Sequence, residues 1–211
     1  MKKCLTIIFL LVNYFSFSQE FKKKYLDINK NEITEKQFCK QKNYKVNHPV
    51  FIQYDSLKIG MLVRRKNIGK LDKIELNQLR QYLSRLSNGK INSYKAIVLN
   101  YLSSTPITPY FGKKSHWTIF KKDYLKNLNK IPNVQQIWIN NPDNQNLEYF
   151  HNDRIKWIED SNRIIEKLFF PFEFEFGSFV VINSNGNYIS YYAEYGKKEV
   201  LDFTKECLKL K

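Results

Sequence analysis

Of the three cysteines in this 211-residue chain, Cys4 lies four residues from the start, which leaves Cys39 and Cys207 as the thiols of a folded domain. They stand near opposite ends of that domain. In an oxidising compartment they could pair as a structural disulfide; equally, each could be a lone thiol packed on a helix, since neither has a neighbouring cysteine or a motif. His48, His116 and His151 are scattered, without the Cys/His/Asp spacing of a metal site. Ser103, Ser104, Thr105 and Thr108 precede Lys114 and His116, but a serine nucleophile needs an orienting acid and an oxyanion hole, and the sequence displays neither. Gly112-Lys113-Lys114-Ser115 falls short of a phosphate loop: Ile107 stands where the first glycine belongs, and an extra lysine precedes the serine. Asp27-x-Asn29-x-Asn31 fails as a calcium loop, with Glu32 at the sixth position and Phe38 at the twelfth.

Binding chemistry remains. A helix opening near Ser115 presents unpaired N–H groups and a partial positive end, and Lys113, Lys114 and His116 beside it could hold a carboxylate or phosphate. The competing reading is that these lysines solvate the surface. Phe172-Glu173-Phe174-Glu175-Phe176 places three aromatics at period two, one apolar face that would mark a partner site if exposed.

The elements that must position these residues fall into two regions. Residues 19–92 read as a small α+β unit. A hairpin turns over residues 28–31, a short helix covers 35–41, and strands cover 50–54 and 59–64. A helix then opens at Asp72, capped reciprocally with Glu75, carries Ile74, Leu79, Leu83 and Leu86 on one face, and stops at Gly89. From Ser93 strands and helices alternate, the pattern of an α/β domain over 93–211. Ala96–Tyr101 is a continuous apolar strand. Ser115 caps a helix with Trp117, Phe120, Tyr124 and Leu128 at helical spacing, and 134–140 is the next strand. Residues 147–151 read as a helical turn, 155–158 as a short strand, and Asp160 or Ser161 as the cap of a helix carrying Ile164, Ile165, Leu168 and Phe169. Strand 179–182, turn 183–186, strand 188–192 and a helix over 197–208 close the chain.

Residues 1–18 have the layout of a secretory signal peptide: Lys2 and Lys3, an apolar run from Leu5 to Phe17, then Ser16-Phe17-Ser18 ahead of Gln19. The expected location is periplasmic or extracellular, in a bacterium. Cys4 precedes the apolar run, so it is not a lipid-bearing cysteine, and no later run reaches the ~20 residues of a membrane span. The formal charge is +15. Lysine is spread from Lys22 to Lys211 rather than gathered with stacking aromatics, which disfavours nucleic acid as a partner. A generally adhesive basic surface, attracted to anionic polymers or a protein partner, follows more directly.

The order strand, proline turn, helix, strand, insert, helix, strand, hairpin turn, strand, helix resembles the thioredoxin-like superfamily. Residues 155–160 followed by 161–170 look like the insert of its peroxiredoxin and periplasmic thiol-disulfide-interchange branch. Val98-Leu99-Asn100-Tyr101-Leu102-Ser103-Ser104 is similar to the approach to that family's active site, and Phe179-Val180-Val181-Ile182-Asn183-Ser184-Asn185-Gly186 to its penultimate strand and turn. The resemblance covers roughly residues 93–211 and implies a three-layer thioredoxin-like sandwich. It also puts the two redox-cysteine positions on Pro106 and Pro109 and the cis-proline position on Gly177. Proline offers neither a thiolate nor a backbone N–H, so the family's disulfide exchange is not expected here. The expectation is an exported, non-catalytic protein of that fold, without cofactor or metal, with a binding or structural role. Its binding rim would be the former active site: Thr105, Pro106, Thr108, Pro109, Tyr110, Lys114, His116 and Gly177. The alternatives are an exported thiol oxidoreductase relative that uses Cys39 or Cys207, and a basic interaction protein for an anionic polymer or protein partner.

Overall fold

The computed structural model describes residues 22–89, 91–103, 117–143, 155–174 and 177–211. It is a mixed α/β structure with two mixed sheets and five α-helices among the described residues. The contacts divide it into two units, residues 1–42 with 49–63, and residues 43–48 with 64–211.

The smaller unit is a four-stranded sheet in the order β2-β1-β4-β3, formed by β1 (Lys22–Leu26), β2 (Glu32–Ile33), β3 (Asn47–Tyr54) and β4 (Leu57–Arg64). β1 pairs antiparallel with β2 and parallel with β4. The turn between β1 and β2 is held by Asp27, whose Oδ1 accepts from the backbone N–H of Asn29 and Asn31, both at 2.8 Å. That use of the side chain is a turn device rather than ion binding. Helix α1 (Glu35–Gln41) starts at a capping box, Thr34 with Gln37, and buries Phe38 against Tyr25 and Phe51. Cys39 is an exposed free thiol on this helix.

The larger unit is built on a six-stranded sheet in the order β5-β10-β9-β6-β7-β8: β5 (Lys66–Lys70), β6 (Ala96–Leu102), β7 (Val134–Asn140), β8 (Ile158–Glu159), β9 (Ser178–Ile182) and β10 (Asn187–Tyr191). β6, β7 and β8 run parallel, while β9 is antiparallel to β6, β10 to β9 and β5 to β10. All seven residues of β6 are buried, as its unbroken apolar run requires.

Side-chain parity divides the core between the two faces of this sheet. Val98, Val181 and Ile189 pack with Tyr124 and Leu128 of α3 (Lys122–Leu128) and with Val200 and Cys207 of α5 (Lys197–Cys207). Tyr101, of opposite parity to Val98, stacks on Phe170 at 5.1 Å, and Tyr188 meets Phe169 at the end of α4 (Ile164–Phe169). α2 (Lys73–Leu86) is held to the α4 side by the Tyr82 hydroxyl, which donates to Asp160 at 2.6 Å. The last turn of α5 is closed by Asn183, whose Nδ2 donates to the carbonyls of Cys207 and Leu210.

Several expectations need correction. The strand Lys66–Lys70 joins the larger sheet beside β10, and α2 packs in the same unit, whereas the sequence assigned both to the N-terminal region. Ile74 is 68 % exposed, and the buried face of α2 is Leu76, Leu79, Tyr82 and Leu83. The single helix expected over Trp117–Leu128 is a 3-10 turn, Thr118–Phe120, and then α3, separated by Lys121 in an extended conformation. The strand expected at 155–158 pairs only at Ile158–Glu159. Phe174 is buried against Tyr192 and His48, so it belongs to the core rather than to an exposed aromatic patch. The helical turn at 147–151, Ser115 and Phe176 lie outside the described residues. Among the described residues, no helix is long and apolar enough to cross a membrane.

Candidate functional site

Of the rim residues expected from the sequence, Thr105, Pro106, Thr108, Pro109, Tyr110, Lys114 and His116 lie outside the described residues. Gly177 is described and lies beside the carboxyl end of β6. Its φ is +141°, and a Cβ there would stand 2.2 Å from the carbonyl oxygen of Tyr101. Both the backbone conformation and the close approach require glycine.

The same end of the sheet carries a polar cleft. β6 and β7 stop in register, Leu102 opposite Asn140, which places Ser103 and Asn141 side by side just beyond the strand ends. A hydrogen bond from the Asn141 N–H to the Leu102 carbonyl, at 2.9 Å, fixes that junction. Carboxyl ends of parallel strands are where open α/β sheets bind ligands, because the chain leaves the sheet there and exposes the strand termini. Here they open into a cleft of about 240 Å³ lined by Tyr101, Ser103, Asn141, Asp143, Arg163, Glu166, Phe170, Pro171 and Glu173.

Helix α4 supplies the charged wall. Asp160, fully buried, organises its start: Oδ1 accepts from Tyr82 OH and from the Ile164 N–H at 3.0 Å, and Oδ2 from the Glu166 N–H at 3.1 Å. The chain reaches the helix through Arg163 in the left-handed region, φ +53°, an uncommon and costly conformation for a side-chain-bearing residue. From there the guanidinium spans two carboxylates, Nη2 to Asp143 Oδ2 at 2.6 Å and Nη1 to Glu166 Oε2 at 3.1 Å. The Asp143 hydrogen bond leads in raising the Arg163 pKa above its ordinary value. Glu166 Oε2 also accepts from Tyr101 OH at 3.2 Å and Asn141 Nδ2 at 3.1 Å. Burial, and next the charge of Glu166, push the Tyr101 hydroxyl pKa well up, so it remains a neutral donor.

Ser103 is the exception within this network. It is 5 % exposed, and its hydroxyl has no hydrogen-bond partner among the described residues. A buried hydroxyl left unpaired costs ~1–3 kcal/mol, so a group that satisfies it gains that much on binding.

The sequence placed Tyr101 and Ser103 in the stretch similar to the family's active-site approach, and Ser103 near His116 as well. Glu166, Arg163 and Asp143 were missed, because their convergence depends on a crossover through β8 that sequence spacing does not display. Cys207 lies elsewhere. It is fully buried, its Sγ 3.4 Å from the carbonyl oxygens of Val181 and Asn187, and Val181 is level with Val98, toward the opposite end of β6 from Ser103. Burial pushes its pKa up to about 11, the reverse of an activated thiol. Among the described residues, no group of three or more His, Cys, Asp or Glu side chains could hold a metal ion. Compared with protein families, with curated proteins and with solved structures, the chain matches none of them.

Proposed function

We propose that the chain is an exported, non-catalytic protein of thioredoxin-like fold that binds a small polar ligand at the carboxyl ends of β6 and β7. The fold reading is supported by the run β10-β9-β6-β7, with β6 and β7 parallel, β9 and β10 antiparallel, and α5 closing the chain after a hairpin. That is the core arrangement the resemblance implies. Export rests on the basic, apolar and small-residue layout of residues 1–18. Secretion followed by mass measurement of a chain beginning at Gln19 tests it; a retained full-length chain would overturn it.

One observation carries the binding role. At the end of the sheet where that family keeps its thiols stand Tyr101, Ser103, Asn141, Arg163 and Glu166 around a cleft, and the buried Ser103 hydroxyl has no partner among the described residues. Thiol exchange needs an accessible, acidified thiol, whereas Cys207 is buried with a raised pKa. Two measurements test the reading. Insulin reduction by the purified chain is expected to equal that of a Cys39→Ser/Cys207→Ser variant. A screen of small polar solutes of each charge, read by amide shifts, is expected to move Ser103, Asn141 and Asp143. Turnover lost in the double variant, or a screen in which no solute moves those amides, would overturn it.

A further inference from the structure

The geometry points to a primary ammonium group on a short unbranched carbon chain as the ligand of this cleft, an inference that rests on the binding role proposed above. The chain as a whole carries +15, yet among the described residues the cleft is lined by three carboxylates, Asp143, Glu166 and Glu173, against one guanidinium, that of Arg163. That sign repels anions and favours a cation. Arg163 does not neutralise the wall. It binds Asp143 through Oδ2 and Glu166 through Oε2, and the bonds from Tyr101 and Asn141 fall on that same Glu166 oxygen, leaving Glu166 Oε1 and Asp143 Oδ1 outside these bonds. An ammonium has three N–H donors and no acceptor. Carboxylate oxygens and the Ser103 hydroxyl, unpartnered among the described residues and with lone pairs that can accept, match that demand. The stem has its own wall in the Tyr101 and Phe170 rings and Pro171. A volume of about 240 Å³ lies below the roughly 300–1,000 Å³ of sites for drug-sized ligands and suits a short chain. A bare metal ion fits less well, since among the described residues no group of three or more His, Cys, Asp or Glu side chains could hold one.

Three probes of one length decide the matter: butylammonium, butanol and butyrate, titrated into the isotope-labelled chain with amide shifts followed. Butylammonium is expected to saturate and to shift Ser103, Asn141 and Asp143, butanol to act at least about tenfold more weakly, and butyrate not to bind. Ser103→Ala and Asp143→Asn are each expected to weaken butylammonium several-fold, up to about tenfold, with amide dispersion unchanged. Asp143 is exposed, so the second variant still reports if the first fails to fold. Nα-acetyl-lysine amide, whose side-chain ammonium is free, extends the test to the source of the amine. Tighter binding than butylammonium assigns the group to a lysine of a peptide partner, and equal or weaker binding assigns it to a free amine; either outcome supports the inference. Butyrate or butanol binding as well as butylammonium would overturn the ligand class and leave the binding role standing. Failure of all three, while another solute of the wider screen moves the same amides, would do likewise. Failure of every solute in that screen would remove both.

Discussion

Gly177 and Asp160 are the two residues at which a single atom decides the geometry of the cleft. A methyl group at Gly177 would meet the Tyr101 carbonyl at 2.2 Å and would have to accept φ +141°. The neighbour is backbone within the central strand, so it cannot rotate away. Gly177→Ala is therefore expected to cost ~3 kcal/mol or more, read as a lowered urea midpoint with unchanged m. Asp160 has no exposed surface and holds three donors, Tyr82 OH and the N–H groups of Ile164 and Glu166. Removing the acceptor strands all three donors, whereas removing Tyr82 OH leaves the carboxylate two partners. Asp160→Ala is expected to cost ~3–5 kcal/mol and Tyr82→Phe only ~1–2 kcal/mol in the same unfolding measurement. Equal losses would mean that the α4 amides do not depend on the carboxylate.

At the scale of elements, strands whose pattern is local were legible and those defined by a distant partner were not. β6, β7, β9 and β10 announced themselves as apolar runs bounded by turns, and α2 by its Asp72–Glu75 box. β5 is Lys-Asn-Ile-Gly-Lys, a sequence with no strand signature; it is a strand because Tyr188 to Tyr191 offers it an open edge. The same reason hid the cleft, since Arg163 and Glu166 come to Tyr101 through pairing of β8 with β7. Helix α5 carries a prediction of its own. Cys207, its buried last residue, has a pKa raised from 9.0 to about 11. A raised folded pKa means that the folded state holds its proton while the unfolded state releases it. That contribution is complete below about pH 9 and disappears between about pH 9 and 11. The buried tyrosines, Tyr82, Tyr101, Tyr124, Tyr191, Tyr192 and Tyr195, are raised by the same desolvation, but from 10.0, so their loss begins a unit higher. Cys207→Val is expected to flatten the fall in urea midpoint between about pH 9 and 10 and leave the steeper fall above it. An unaltered profile would refute the assignment to this thiol.

At the scale of the whole molecule, the division into two units has an optical consequence. All three tryptophans, Trp117, Trp138 and Trp157, belong to the larger unit, and Phe120 contacts all three rings. The smaller unit, residues 1–42 with 49–63, contains none, and its buried residues include one large aromatic, Phe38. Tryptophan fluorescence therefore reports the larger unit alone, while far-ultraviolet circular dichroism reports both sheets. The larger unit buries apolar side chains on both faces of its six-stranded sheet, whereas the described part of the smaller has four strands and one seven-residue helix. Few strands and a short helix bury little apolar surface for each residue ordered, which makes such a unit the less stable one. In urea the circular dichroism signal is expected to begin falling before tryptophan fluorescence changes, giving two transitions that do not coincide. A ligand of the cleft formed by Tyr101, Ser103 and Glu166 would then move only the later, fluorescence-detected transition, because every residue lining it lies in the larger unit. Coincident transitions, both shifted by the ligand, would instead show that the two units unfold as one.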